Sequence, residues 1–164
     1  MITSVCLNPA FDKTVEIDAL VPGGTNRIRS LRMDMGGKGL NVAVVAQRLG
    51  MEAQCIGCMG EDGAAQLTAL MAREHLAHHF LTVPGAVRTN LKVFARDARQ
   101  VTEFNEPGAP LDAVLLQQFQ ALAQAEAPRS DYMVLTGSLP PGCPEGTYRE
   151  LIRALPGTRC VLDT

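Results

Sequence analysis

Short apolar runs alternate along the chain with longer segments whose apolar residues recur at helical spacing. The runs are typical of buried strands and lie at residues 2–7, 53–59, 132–136 and 160–162. Helical spacing is found over 40–49, 62–75 and 145–155 and among Leu111, Leu115, Phe119 and Leu122. Strands that alternate with helices predict an α/β fold, in which a parallel sheet carries helices on both faces.

Two further stretches, at about 13–35 and 86–105, alternate with a period of two and have no helix between their strands. Side chains at i, i+2 and i+4 of a strand share one face, so Arg88, Asn90 and Lys92 form a polar strip with apolar residues behind it. The pattern alone fits a solvent-exposed face equally well. We interpret both stretches as strands of a separate small sheet.

The small sheet is expected to be an insertion rather than a second domain. The chain has no internal repeat, low-complexity tract or long linker, so residues 1–164 form a single unit. Ligands of open α/β sheets bind at the carboxyl ends of the strands. A small sheet placed over those ends would act as a lid on the ligand.

Composition and charge restrict the possible partners. Hydrophobic residues make up 46% of the 164, enough for one ordinary domain with a core. A net charge of −2 gives no general attraction to nucleic acid or to an anionic membrane, so recognition of an anion must be local. No apolar run approaches the ~18 residues of a membrane span, and the N-terminus has no leader pattern. We predict a cytoplasmic protein without nucleic-acid or membrane partners.

Cysteine and histidine residues are interpreted as structural. Five cysteines are an odd number, which argues against a disulfide framework. Cys55 and Cys58 have the spacing of a redox pair, but they lie within a buried apolar run and have no second pair. No cysteine or carboxylate completes a metal-ligand set with His75, His78 and His79. The sequence therefore predicts no metal site.

A glycine-rich turn with one lysine is the strongest sign of a binding site. Gly36, Gly37, Lys38 and Gly39 lead directly into the helix predicted at 40–49. Glycines allow backbone N–H groups to approach a ligand, a helix N-terminus adds unpaired donors, and the lysine adds a full positive charge. The spacing is that of neither the nucleotide P-loop nor the dinucleotide-binding turn. We expect an anion to bind here; the alternative is an ordinary tight turn.

Other polar residues are expected to meet this turn. Asn8 and Asp12 follow the first strand, and a second glycine-containing turn follows Thr136 at the end of another strand. The carboxyl ends of parallel strands lie at one edge of a sheet, so these segments should converge there.

Six motifs in series resemble those of one family. They read LNPAFD at 7–12, NR at 26–27, GGKGLNVA at 36–43, GAVRTN at 85–90, TEFNEPG at 102–108 and GSLPPG at 137–142. Their types and order resemble the ribokinase-like (PfkB) carbohydrate kinases from end to end of the chain. Among members of that family they are most similar to the 1-phosphofructokinases and next to the tagatose-6-phosphate kinases. The resemblance implies a Rossmann-like fold with an inserted lid.

The resemblance also implies roles for particular residues. Asp12 would accept hydrogen bonds from sugar hydroxyls, with Gly37 and Asn41 beside it. Lys38, Arg27 and Arg88, with Lys92 as a further candidate, would neutralise a phosphate already on the substrate. The lysine in the glycine turn indicates a phosphorylated sugar, because a neutral substrate would leave that cation unpaired in a closing site. The implied substrate-binding residues are Asp12, Arg27, Gly37, Lys38, Asn41, Arg88, Asn90, Lys92 and Ser138.

The function implied is that of an ATP-dependent sugar-phosphate kinase that converts fructose 1-phosphate to fructose 1,6-bisphosphate. ATP and Mg²⁺ are the implied cofactors, and a homodimer formed through the lid is the implied assembly. Tagatose 6-phosphate and fructose 6-phosphate are alternative substrates, since each needs the same cation and polar groups. A non-catalytic sugar-phosphate-binding module is the alternative from another class.

The family pattern continues beyond Thr164. The catalytic aspartate, its anion hole and the acidic motif that organises Mg²⁺ are all expected in that continuation, so no catalytic base is assigned here. We therefore expect this chain to be the N-terminal, substrate-binding portion of one kinase domain and to be inactive alone. Its last strand, at 160–162, would be an unpaired apolar edge, which favours self-association.

Overall fold

The computed structural model describes residues 1–163 and divides their strands between two sheets. The strands are β1 (Ile2–Cys6), β2 (Ala10–Ile17), β3 (Ser30–Gly36), β4 (Ala53–Asp62), β5 (Ala77–Ala86), β6 (Arg88–Ala95), β7 (Gln100–Asn105), β8 (Tyr132–Thr136) and β9 (Cys160–Asp163). The helices are α1 (Lys38–Arg48), α2 (Ala64–Arg73), α3 (Ala113–Glu126) and α4 (Thr147–Arg153).

The main sheet is parallel throughout and has the strand order β5-β4-β1-β8-β9. Leu40 of α1 and Leu67 of α2 are buried in one core cluster, while Phe119 of α3 and Leu151 of α4 belong to another. The two clusters take alternate residues of the central strands, so each face of the sheet is covered by helices. The predicted α/β architecture is confirmed.

The remaining strands form the predicted small sheet, in the order β3-β2-β6-β7. Its two central strands, β2 and β6, run parallel, and each outer strand is antiparallel to its neighbour. Val15, Ile17 and Val93 are buried on one face. Pairing starts at Ala10, three residues before the predicted start, because β2 follows β1 after only a short bend. The small sheet thus begins directly at the carboxyl end of β1.

Several predicted boundaries were too wide. Helix α2 spans ten residues rather than 62–75, because β4 runs on to Asp62 and Gly63, in the left-handed conformation, separates the two elements. Helix α4 is likewise shorter than 145–155. Leu111 is buried but precedes α3, whose N-cap is Asp112 accepting a hydrogen bond from the Leu115 N–H at 2.8 Å.

The cysteine spacing that resembles a redox motif does not bring the two thiols together. Cys55 and Cys58 are three residues apart on β4 and lie in the core clusters on opposite faces of the sheet. Burial raises the pKa of the Cys58 thiol to about 12, which keeps it protonated and unreactive.

No helix within residues 1–163 has the length and apolar character needed to cross a membrane.

Strand β9 is an edge of the main sheet, with Val161 46% and Leu162 51% exposed. An exposed apolar edge is a template for pairing with another chain. We predict that the 164-residue chain expressed by itself self-associates and that Val161→Lys reduces this, since an edge lysine opposes strand pairing. Sedimentation velocity over a concentration series measures the self-association of the parent chain and of the Val161→Lys variant. A monomeric parent chain with cooperative melting would contradict the prediction.

Candidate functional site

The glycine turn brings α1 against the end of β1. A side chain at Gly39 would collide with the Val5 carbonyl, and a Cβ at Gly37 would lie 2.9 Å from the Cys6 sulfur. Gly37, the N-cap of α1, has a φ of +117°, which a side chain would strain. The sequence has glycine here because the helix N-terminus lies directly on the strand. The result is that Lys38, the first residue of α1, stands at the carboxyl edge of the main sheet.

A cavity of about 210 Å³ lies at this edge. Its lining residues come from the end of β1, the start of α1, β6 and the turn after β8, and they are Cys6, Asn8, Lys38, Arg88, Thr136, Gly137 and Ser138. Three implied substrate residues, Lys38, Arg88 and Ser138, therefore share one cavity. Two of them are cations, so the cavity is suited to an anion.

Arg88 is fixed by three acceptors. Its Nε donates to the Asn8 carbonyl at 3.2 Å, and its Nη1 donates to Asn90 Oδ1 at 3.1 Å and to the Glu106 carbonyl at 3.3 Å. Two of these acceptors are backbone atoms of loops beside the cavity. A guanidinium held in this way is ordered before a ligand arrives, which lowers the entropic cost of binding an anion.

The polar strip predicted on β6 is linked to Asp12. Asn90 Nδ2 donates to Asp12 Oδ1 at 2.9 Å, and Lys92 Nζ donates to Asp12 Oδ2 at 2.8 Å. Position 12 pairs with position 90 across the parallel β2–β6 ladder, so these side chains lie on one face. The bond to Asp12 raises the pKa of the Lys92 ammonium. Both carboxylate oxygens of Asp12 are thereby held in place.

The two lysines of the site differ in their pairing. Lys92 is bonded directly to Asp12, whereas Lys38 Nζ is 3.7 Å from Asp163 and its side chain is 57% exposed. Asp163 also accepts a hydrogen bond from the Thr136 hydroxyl at 3.0 Å. Lys38 and Arg88 are therefore the cations that face the cavity, while the charge of Lys92 is balanced by Asp12.

Two of the substrate-binding residues that the family resemblance implies, Arg27 and Asn41, lie apart from the cavity. Asn41, on the first turns of α1, lines a neighbouring groove of about 370 Å³ beside β3. Arg27 lies in the exposed loop between β2 and β3, beyond the last strand pair of Glu16 with Ser30. Four residues of strand, about 13 Å, separate Glu16 from Asp12. Within this chain, Arg27 and the cavity are at opposite ends of the small sheet.

The sequence predicts that Asn8 lies near the glycine turn but gives it no role in the site. Its amide donates to Ser138 Oγ at 3.2 Å and to the Pro107 carbonyl at 3.1 Å, while its own carbonyl holds Arg88. Glu106 was also unassigned, and its carboxylate accepts the Thr89 N–H at 2.7 Å. Both belong to the motifs that carry the resemblance, but contacts between the motifs form only in three dimensions.

The arrangement combines an anion cavity with a row of ordered polar groups. Lys38 and Arg88 offer charge to a phosphate, while Asp12 and Asn90 offer acceptors and donors to hydroxyl groups. Asp12 accepts hydrogen bonds from Asn90 on one carboxylate oxygen and from Lys92 on the other, so its carboxylate is already engaged as a hydrogen-bond acceptor. Residues 1–163 contain no group of three or more His, Cys, Asp or Glu placed to hold a metal ion.

Comparison with known proteins identifies the family of the chain. Residues 6–162 match the pfkB family of carbohydrate kinases. The 1-phosphofructokinase of Xanthomonas campestris is 36% identical over 167 aligned positions, covering 98% of this chain and 51% of that protein. The 1-phosphofructokinase of Rhodobacter capsulatus is also 36% identical and is covered to 52%.

Solved structures of phosphofructokinases have the same fold as this chain over about half of their length. Phosphofructokinase-2 from Escherichia coli, crystallised with substrates and products, superposes with a TM-score of 0.91 at 27% identity, over 99% of this chain and 53% of that one. A possible 1-phosphofructokinase from Thermotoga maritima gives a TM-score of 0.89, also at 27% identity, and covers 99% of this chain and 53% of that one.

The chain spans about half the length of the curated relatives it matches. The family match covers nearly all of the chain, and the two-sheet fold agrees with that of the solved structures. This chain belongs to the pfkB family of carbohydrate kinases.

Proposed function

We propose that this chain binds the sugar-phosphate substrate of an ATP-dependent kinase that converts fructose 1-phosphate to fructose 1,6-bisphosphate. The observation that carries the proposal is the cavity in which Lys38 and Arg88 meet, next to the strip formed by Asp12, Asn90 and Lys92. Two cations suit the phosphate already present on the substrate, and the strip suits the hydroxyls of the sugar. The relatives named 1-phosphofructokinase support the choice of substrate.

The substrate residues are assigned according to their positions. Lys38, Arg88 and Ser138 contact the phosphate, and Asp12 with Asn90 orients the sugar; Lys92 acts mainly on Asp12, to which it is bonded. Gly37 and Asn41 lie at the start of α1 and complete the sugar site from the β3 side. These roles are part of the proposal.

ATP and Mg²⁺ are the proposed cofactors. We assign no catalytic base among the described residues. Asp163, the carboxylate beside Lys38, pairs with Lys38 and Thr136, and Asp12 is bonded on both oxygens. The part of the relatives that this chain does not span would supply the base, the ATP site and the Mg²⁺ ligands. We place the reaction in the cytoplasm, where ATP is supplied.

A homodimer formed through the small sheet is the proposed assembly. Leu31 and Phe104, on one face of this sheet, are each more than half exposed, as are Val21 and Ile28 in the loop between β2 and β3. An exposed group of large apolar side chains on an outlying sheet is typical of a protein interface. In such a dimer, Arg27 of that same loop would lie near the partner.

The direct test measures ADP release from ATP by the product of the complete reading frame that contains this chain. Fructose 1-phosphate, tagatose 6-phosphate and fructose 6-phosphate are offered side by side, and the 164-residue chain is assayed in parallel. We expect the highest kcat/KM on fructose 1-phosphate and no turnover by the 164-residue chain.

Other results would change the assignment. A higher kcat/KM on either other sugar phosphate would change the substrate while retaining the kinase. Binding of fructose 1-phosphate without any turnover by the complete protein would favour a non-catalytic binding module. Turnover by the 164-residue chain itself would mean that the catalytic residues have been misplaced.

The three lysines of the chain give a matched set of substitutions. We predict that Lys38→Met raises the KM for the sugar phosphate about 10- to 100-fold and weakens inhibition by inorganic phosphate, since a charged hydrogen bond contributes ~1.5–3 kcal/mol. Lys92→Met should raise the sugar-phosphate KM while leaving phosphate inhibition nearly unchanged, because Lys92 pairs with Asp12.

Lys13→Met is the control, since Lys13 neighbours Asp12 on β2 and its side chain points to the other face. Steady-state kinetics with varied sugar phosphate, ATP and inorganic phosphate measure all three variants. An unchanged sugar-phosphate KM in Lys38→Met would remove Lys38 from the phosphate site, and weaker phosphate inhibition in Lys92→Met would place Lys92 in it.

A further inference from the structure

Asn8 is a buried polar residue that has no role in the proposed function. It lies in the short connection between β1 and β2, where the chain leaves the main sheet for the small one, and is 8% exposed. Its side-chain Nδ2 is 3.1 Å from the Pro107 carbonyl and 3.2 Å from Ser138 Oγ. Pro107 follows β7 and Ser138 follows β8. One side chain therefore joins the segment that returns from the small sheet to a turn that lines the cavity.

The neighbours of Asn8 determine which end of its amide faces Ser138. A carbonyl oxygen can only accept a hydrogen bond, so the Asn8 atom that faces Pro107 is the amide nitrogen. The amide oxygen lies on the side of Gly108, where a side chain would collide with it. Glycine at position 108 thus leaves room for the amide in this orientation.

Ser138 Oγ is the acceptor in its bond with Asn8. An amide nitrogen carries two hydrogens and accepts none, and here Pro107 and Ser138 take one hydrogen each. The hydroxyl hydrogen of Ser138 is left over, and no hydrogen bond to another group of residues 1–163 uses it. Ser138 lines the cavity together with Lys38 and Arg88. A hydroxyl donor therefore lies beside two cations, neither of which can accept its hydrogen.

We infer that Asn8 is a positioning residue, which engages Ser138 Oγ as an acceptor and so leaves the Ser138 hydroxyl to donate to the phosphate of the substrate. The inference rests on the proposed function for the identity of the anion. A phosphate in the cavity supplies the acceptor that the chain itself does not offer. A hydroxyl that accepts from Asn8 is also a stronger donor, because hydrogen bonds in a chain strengthen one another.

The contact between Asn8 and Arg88 does not depend on the Asn8 side chain. Arg88 Nε donates to the backbone carbonyl of Asn8 at 3.2 Å, and a substitution at position 8 keeps that carbonyl. Removing the amide therefore tests the link to Ser138 without deleting an acceptor of Arg88.

A double-mutant cycle tests whether Asn8 acts through Ser138. In the product of the complete reading frame, we expect Asn8→Ala to raise the sugar-phosphate KM and the Ki of inorganic phosphate about threefold to tenfold, in line with one weakened hydrogen bond. The KM for ATP should stay within about twofold. In a Ser138→Ala background, Asn8→Ala should have almost no further effect on these constants, because the hydroxyl that Asn8 orients is absent.

Gln47→Ala is the matched control. Gln47 also donates its side-chain amide to a backbone carbonyl, that of His75 at 3.2 Å, but it lies in the last turn of α1, away from the cavity. We expect this variant to have unchanged constants. The inference would be overturned if Asn8→Ala raised the KM values for sugar phosphate and ATP equally or raised neither. It would also be overturned if Asn8→Ala had the same effect with and without the Ser138 hydroxyl.

A second measurement uses the parent protein and needs neither turnover nor a stable variant. Inorganic phosphate is titrated into the ¹⁵N-labelled product of the complete reading frame, and the side-chain amide signals are followed. We expect the Asn8 signals to shift with saturation, since a Ser138 hydroxyl that donates to phosphate accepts more strongly from Asn8. The Gln47 signals should stay unchanged.

The titration also separates this inference from the proposed function. Asn8 signals that do not move would overturn the inference even if the kinase activity is found. An Asn8 shift in a protein that turns over none of the three sugar phosphates would support the role of Asn8 at an anion site and reject the proposed function.

Discussion

The close packing of the α1 N-terminus on the end of β1 is the constraint on which the site depends. A side chain at Gly39 would collide with the β1 backbone, and one at Gly37 would press on the Cys6 sulfur. With glycine at both positions, the helix starts at the carboxyl edge of the main sheet and carries Lys38 to the cavity. A helix displaced by the width of a methyl group would move the lysine away from the cavity that it lines together with Arg88.

Charge pairing then separates the cations into two kinds. Arg88 is held mainly by neutral acceptors and Lys38 is weakly paired and more than half exposed, so both keep charge available for an anion. Lys92 is bonded to Asp12 and fixes the direction of its carboxylate. The same residue type therefore contributes differently at positions 38 and 92, and local pairing decides which contribution it makes.

The end of β8 connects the two faces of the main sheet. Tyr148 lies in the core cluster on one face, and its hydroxyl reaches two carbonyls of the turn whose other side borders Lys38. Asn8 makes a comparable connection between loops, since it contacts the turn after β7, the turn after β8 and Arg88. Buried hydrogen bonds of this kind are costly to leave unmade, which keeps loops from separate parts of the chain in a single arrangement.

Local pattern was enough to predict the alternation of strands and helices, the separate small sheet, the glycine–lysine turn and the shared face of Arg88, Asn90 and Lys92, because side-chain periodicity and glycine conformation act within a few residues. Tertiary structure decided the pairing of Lys92 with Asp12, the junctions made by Asn8 and Tyr148, and the separation of Arg27 from the cavity. These contacts join residues far apart in sequence, and their partners are chosen by strand register and helix placement. The residue types near the site could thus be found in the sequence, whereas which of them touch depends on the packing of the two sheets.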